Sequence, residues 1–204
     1  MLRTIGERGI GKPAALDYAV QQATGFRVRR IRAVAAELEL PYAGLHLLCA
    51  PVLDNGLALP AAHRNALAAT FGLTSEPRPE VTVVGLATLD LLTSIAESQP
   101  VCLVVDDAHW LDDATVRVLA FVARRIDRHA LLILLAKNGH NRLNHLDGLP
   151  EMRLRPLSRT EFRALLAWLG RVEFPGRRPV AGGRSGACSR CGQMTHARGP
   201  LTLA

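Results

Sequence analysis

The spacing of glycine and lysine near the amino end of the chain is suited to phosphate chemistry. Residues 4–19 read TIGERGIGKPAALDYA and contain the pattern Gly6-x-x-x-x-Gly11-Lys12. Glycines allow backbone N–H groups to converge on phosphate oxygens, the lysine adds a full positive charge, and the start of the following helix adds a partial one. Pro13 stands where such loops carry the serine or threonine that ligates magnesium. Taken alone, the segment fits an ordinary glycine-rich turn equally well.

Two carboxylates follow an apolar strand later in the chain. In VCLVVDDAHWLDD, Val101 to Val105 is an uninterrupted apolar run, typical of a strand buried on both faces, and Asp106 and Asp107 come directly after it. A nucleotide site needs an acidic group at a neighbouring strand end to hold magnesium and orient water. We predict that Asp106 holds magnesium and that Asp107 polarises the attacking water. The alternative, that these two carboxylates only cap the next helix, is less favoured because Asp112 or Asp113 is better placed to do so.

The elements that must position these residues alternate between strands and helices. Apolar or alternating runs predict strands at 1–5, 26–32, 101–105, 130–136 and 152–157. Helical spacing predicts helices over 12–24, 42–53, 60–71, 81–98, 113–126 and 159–169, the last opened by a capping box of Ser158 and Glu161. We therefore expect a three-layer α/β fold with a mostly parallel central sheet.

Composition limits the classes of function. The net charge of +7 lies largely in residues 172–204, which carry five arginines and one acidic residue, so the body of the chain is nearly balanced and nucleic-acid binding is only weakly indicated. We predict a domain over 1–171 and an irregular tail over 172–204. No apolar run of about 18 residues and no secretory signal is present, so we expect a cytoplasmic protein that does not enter membranes. Cys188-x-x-Cys191 with His196 lacks a fourth zinc ligand.

Four segments carry a family resemblance: GERGIGKPAALDYA, LPYAGLHLLCAPVLD, VVDDAHWLDDATVRVLAFVARR and RLRPLSRTEFRALL. Together they resemble the AAA-like P-loop ATPase domain of large LuxR-type bacterial transcriptional regulators, which belong to the signal-transduction ATPases with numerous domains. The resemblance covers about residues 4–170. It implies a P-loop nucleotide fold, ATP and magnesium as cofactors, ATP- and inducer-driven self-association that hydrolysis resets, and DNA binding through a separate helix-turn-helix domain.

The resemblance also implies roles for individual residues. The nucleotide would lie against a loop formed by Gly6, Gly9, Ile10, Gly11, Lys12 and Pro13. Asp106 and Asp107 match the acidic strand end, and Lys137 stands where the family places a sensor of the γ-phosphate. Lys137 fits a solvated strand-end charge equally well. His109 and Trp110 match a family motif, and packing of Trp110 over the end of the sheet is the favoured reading.

Pro13 is the departure that matters most for turnover. It removes both the magnesium-binding hydroxyl and a backbone N–H that would face a phosphate, while the first turn of a helix tolerates proline. We therefore expect weak binding of ATP or ADP, poor hydrolysis, and a chain that is a fragment lacking the DNA-binding domain. The alternatives are an interaction module that binds no nucleotide and a decayed fragment without activity.

Overall fold

A computed structural model describes residues 1–7, 9–53, 59–138 and 144–169. Its centre is a five-stranded sheet with the order β2-β3-β4-β1-β5, in which every neighbouring pair is parallel. The sheet confirms the predicted α/β class. The strands are β1 (Leu2–Gly6), β2 (Arg27–Arg32), β3 (Val101–Asp106), β4 (Leu131–Asn138) and β5 (Glu151–Arg153).

In the described ranges, six α-helices connect or follow the strands, and three short 3-10 turns lie at 35–37, 108–110 and 144–146. The crossovers from β1 to β2, from β2 to β3 and from β3 to β4 each contain at least one α-helix, as parallel pairing requires. The helices are α1 (Lys12–Gln22), α2 (Ala43–Leu53), α3 (Ala61–Thr70), α4 (Val81–Ser98), α5 (Asp113–Ala123) and α6 (Arg159–Leu169).

The two faces of the sheet have separate apolar layers. Leu16 of α1 packs with Cys102 and Val104 of β3 and with Leu134 and Ala136 of β4 on one face. Alternate residues of the same strands face a larger cluster that includes side chains from α2 to α5. This alternation explains why β3 and β4 are apolar throughout, since both of their faces are covered.

The longest helix, α4, supplies much of the larger cluster. Val84, Leu91, Leu92 and Ile95 are almost completely buried. Among the described residues, α4 is also the one helix whose length and composition would suit a membrane span. Core helices of globular domains commonly satisfy the same criterion, and the burial of this apolar stripe is what a core helix shows.

Two element ends differ from the sequence predictions by three residues or more. Helix α5 ends at Ala123, three residues before the predicted end, although Ile126 remains buried in the core. Strand β5 ends at Arg153, whereas the prediction extended to residue 157. The backbone N–H of Leu154 still donates a hydrogen bond to the carbonyl oxygen of Ile5 at 2.8 Å, but Pro156 has no N–H to continue the ladder.

The chain divides into two compact units, Met1–Arg155 and Pro156–Ala204. In the second unit the structure describes α6, which opens with the predicted capping box. The backbone N–H of Glu161 donates to Ser158 Oγ at 3.2 Å, and the N–H of Ser158 donates to the Glu161 carboxylate at 2.6 Å. The predicted tail over 172–204, with Cys188, Cys191 and His196, lies outside the described residues.

Burial of the two remaining cysteines provides a test of this core. Both Cys49 and Cys102 are buried free thiols, and burial raises the pKa of Cys49 to about 12. Because the thiolate is the reactive form, a variant with Cys188→Ser and Cys191→Ser is expected to resist iodoacetamide until it is denatured, as measured by mass spectrometry. Adding Ser75→Cys at an exposed position supplies the positive control. Rapid native labelling of Cys49 would contradict the packing described.

Candidate functional site

The loop between β1 and α1 has the backbone that its glycines predict. Gly9 and Gly11 have positive φ angles of 84° and 99°, in the left-handed region that side chains disfavour. Gly6, at the end of β1, needs its missing side chain for a different reason: a Cβ there would lie 2.7 Å from Cγ2 of Ile10. The loop therefore turns tightly and keeps its backbone close to the end of β1.

Lys12 projects its charge back into this loop. It is the first residue of α1 and is only 5% exposed. Its Nζ donates hydrogen bonds to the carbonyl oxygens of Gly6 at 3.0 Å and Glu7 at 2.7 Å. The ammonium group thus lies over the end of β1, inside the turn of the loop.

The beginning of α1 favours an anion. The N-cap residue is Gly11, and the first turn contains no acidic side chain that would occupy the positive end of the helix dipole. Pro13 follows Lys12 in this turn and is exposed, so the helix accepts it without disturbing the core. The predicted loop residues are therefore brought together around one helix N-terminus, with Pro13 contributing neither hydroxyl nor N–H.

The acidic end of β3 lies on the α1 side of the sheet. Val104 belongs to the apolar layer under α1, and Asp106 lies two residues later on the same face. The Asp106 carboxylate accepts a hydrogen bond from the backbone N–H of Asp107 at 2.9 Å. Asp107 has a positive φ of 52°, which ends the strand and redirects the chain.

Arginines of β2 pair with both carboxylates. Nη2 of Arg30 lies 3.5 Å from Oδ2 of Asp106, and Nη1 of the same guanidinium pairs with Asp17 of α1. Nε of Arg32 donates to Oδ2 of Asp107 at 2.9 Å. These two arginines were not predicted from the sequence to be site residues. The available signal was the register of a parallel sheet, which places Arg32 beside Asp106.

The arginines of β2 lie on both faces of the sheet. Arg29 points to the opposite side, where its Nη2 donates to the carbonyl oxygen of Leu47 in α2 at 2.9 Å. Ile31 is buried in the larger cluster on that same side. Only Arg30 and Arg32 therefore belong to the face that carries the loop and the acidic strand end.

Asp112 ties two distant segments together. Its buried carboxylate accepts hydrogen bonds from the backbone N–H groups of Tyr42 at 2.7 Å and Gly44 at 3.1 Å. It also accepts from the N–H of Thr115 at 2.8 Å and from its hydroxyl at 2.6 Å. Capping of α5 by Asp112 is thus confirmed, but the same side chain also fixes the start of α2.

His109 and Trp110 follow the acidic pair in a short turn. Their rings lie 4.8 Å apart, and Trp110 packs partly buried against the larger apolar cluster. These contacts agree with the packing role that the sequence favoured for Trp110. The described residues contain no group of three histidine, cysteine or acidic side chains arranged to hold a metal ion.

Lys137 lies near the end of β4, opposite Ile5 of β1. Its neighbour Ala136 faces the α1 layer, so strand alternation places Lys137 on the other face of the sheet from Lys12. Its charge also contributes to lowering the pKa of Glu151, an effect due first to the hydrogen bond from Arg153. The structure does not bring Lys137 to the loop, and its role as a phosphate sensor stays a prediction.

The residues present fit a phosphate group better than they fit magnesium. A buried lysine, a glycine-rich turn and a helix N-terminus without acidic residues are together suited to an anion. Magnesium prefers oxygen ligands, and the two expected here are unsuitable: Pro13 offers no hydroxyl, and the Asp106 carboxylate faces Arg30. The donor set therefore does not match a magnesium ion.

The parallel sheet, the glycine-rich loop with its lysine and the acidic end of β3 define the class of P-loop nucleotide-binding proteins. Within that class, residues 4–135 of the 204 match the AAA ATPase domain family. The chain therefore belongs to the AAA ATPase domain family, whose members generally bind ATP with magnesium.

Two solved structures have weak similarity to this chain. Cdc6p from Pyrobaculum aerophilum aligns with a TM-score of 0.46 and 16% identity over 81% of this chain. PCH-2 from C. elegans aligns with a TM-score of 0.36 and 14% identity over 87%. The chain spans 42% of the length of each, and these scores are too low to carry a functional argument. No curated protein matches the chain.

Proposed function

We propose that this chain is the nucleotide-binding domain of a LuxR-type transcriptional regulator and that it binds ATP or ADP in the loop between β1 and α1. The observation that carries the proposal is the position of Lys12. Its buried ammonium group lies within hydrogen-bonding distance of the carbonyl oxygens at the end of β1, at the N-terminus of α1. A phosphate entering the loop would meet this charge and the helix dipole together.

The proposal assigns this domain slow hydrolysis. Asp107 would orient the attacking water, as predicted, whereas the sensor role predicted for Lys137 would require its side chain to reach the γ-phosphate from the other face of the sheet. Two features oppose turnover: Pro13 supplies no hydroxyl, and the Arg30 guanidinium lies 3.5 Å from the Asp106 carboxylate. Because phosphoryl transfer depends on charge placement and positioning, these features are expected to reduce hydrolysis more than binding.

Hydrogen bonds between two segments that are typical of the regulator family favour this family over other AAA ATPases. The PYAGLH segment and the DDAHWLDD segment are far apart in sequence, yet Asp112 joins them through hydrogen bonds to Tyr42 and Gly44. We infer that this link between the two segments is a feature that the chain shares with the regulator family it resembles. The proposal then includes a cytoplasmic location, nucleotide-dependent self-association and DNA binding through a domain outside this chain.

Calorimetric titration with ATP and with ADP tests the proposal. Lys12→Met, which keeps the apolar stem and removes the charge, is expected to weaken binding about tenfold, since a hydrogen bond to a charged group contributes on the order of 1.5 kcal/mol or more. The matched control is Arg128→Ala, which removes an exposed cation just before β4, at the amino ends of the parallel strands and therefore away from the loop. Circular dichroism establishes that each variant is folded.

The same titration separates the proposal from its alternative. Equal affinity of Lys12→Met and the unaltered chain would mean that the loop does not hold the phosphates. Such a result, or no heat with either nucleotide, would favour an interaction module that binds no nucleotide. Binding that falls with Lys12→Met and not with Arg128→Ala supports the proposed site.

A further inference from the structure

Arg30 connects three elements at the site. It extends from β2, pairs with Asp17 of α1, and lies 3.5 Å from the Asp106 carboxylate at the end of β3. Asp106 is the more buried partner, with 14% of its side chain exposed against 37% for Arg30. The carboxylate predicted to hold magnesium therefore already has a cation beside it.

Cationic and anionic side chains lie together at this end of the sheet. Three cations, Lys12, Arg30 and Arg32, lie in the same region as three carboxylates, Asp17, Asp106 and Asp107. A guanidinium is always protonated and matches the planar geometry of a carboxylate. A divalent ion at Asp106 would have to compete with Arg30, and Pro13 offers no second ligand in compensation.

We propose that Arg30 takes the place of the magnesium ion, so that this site selects the metal-free form of a nucleoside di- or triphosphate. The inference rests on the proposed function and adds the form of the ligand to it. Arg30 neutralises Asp106, which would otherwise repel the phosphates, and Asp17 fixes the guanidinium beside α1. It is a specificity-determining residue, because its charge removes the requirement for a metal.

The experiment measures ATP affinity of the full chain by calorimetry in excess magnesium and again in EDTA. The unaltered chain is expected to show affinities within about twofold of each other in the two buffers. Arg30→Ala leaves Asp106 without its guanidinium, so its affinity in EDTA is expected to fall about tenfold and to recover at least about fivefold with magnesium. The readout is a ratio of two affinities, so it does not depend on turnover.

Two further variants keep the result specific. Arg27→Ala removes an exposed arginine from the same strand, one that has no ion pair within the described part of the chain, and its magnesium-to-EDTA ratio is expected to match that of the unaltered chain. Arg30→Lys retains the charge, so its magnesium-to-EDTA affinity ratio is expected to stay within about threefold of that of the unaltered chain. This variant tests the inference even if Arg30→Ala does not fold.

The outcomes distinguish this inference from the proposed function. Affinity at least about tenfold higher with magnesium than with EDTA in the unaltered chain would overturn the inference and leave nucleotide binding intact. An absence of binding in both buffers would overturn the proposed function itself. Equal affinities in the unaltered chain, together with metal dependence in Arg30→Ala, support the assignment of Arg30.

Discussion

Replacing Asp112 with alanine is expected to lower the free energy of unfolding by about 3–5 kcal/mol, with a fall in Tm of about 10 °C. The carboxylate is 2% exposed and accepts four hydrogen bonds from Tyr42, Gly44 and Thr115. Its removal leaves buried N–H groups without their acceptor and also removes the cap of α5. Chemical denaturation monitored by circular dichroism measures the change.

The neighbouring residue is the matched control. Asp113 has the same side chain, but it is 62% exposed and pairs with Arg117 and His145 on the surface. Asp113→Ala is therefore expected to cost less than about 1 kcal/mol. Asp112→Asn, which preserves volume and one acceptor, gives an intermediate value if the alanine variant does not fold. Equal losses for Asp112→Ala and Asp113→Ala would show that the buried network contributes little.

The fold could be predicted because its main elements depend on local patterns. The uninterrupted apolar runs around Leu103 and Ile133 identify strands covered on both faces, and the amphipathic pattern of 81–98 coincides with α4. The ends of the elements were less predictable where they depended on a single residue. Strand β5 stops early because Pro156 lacks a donor, a feature that an apolar pattern does not weigh.

The site could be predicted only in part, because its motifs are local and its ion pairs are not. The spacing around Lys12 fixes a loop before a helix, and Asp106 follows its strand directly. The partners of Asp106 and Asp112, in contrast, come from residues about 70 positions away. Arg30 and Tyr42 become visible as partners only once the register of β2 against β3 and the position of α2 are known.

Pro13 and Arg30 oppose turnover in two different ways. Pro13 removes a ligand from the loop, whereas Arg30 competes for the ligand at the end of β3. If both act, repairing only one leaves the metal position incomplete. Pro13→Thr restores the hydroxyl and an N–H at a helix start that tolerates either residue, so the fold should be unaffected.

The double variant Pro13→Thr with Arg30→Ala is therefore expected to hydrolyse ATP about 100-fold faster than the unaltered chain, which corresponds to ~2.7 kcal/mol of transition-state stabilisation. Each single variant is expected to gain less than about threefold, since one of the two ligands would still be missing or occupied. Phosphate release in magnesium measures the rates, and Pro60→Thr, at the start of α3, controls for the loss of an exposed proline.

Adding Lys12→Met to the double variant must abolish the gain, which excludes a contaminating ATPase. A full gain from Pro13→Thr alone would show that Arg30 does not obstruct the metal, whereas no gain in the double variant would place the defect elsewhere in the site.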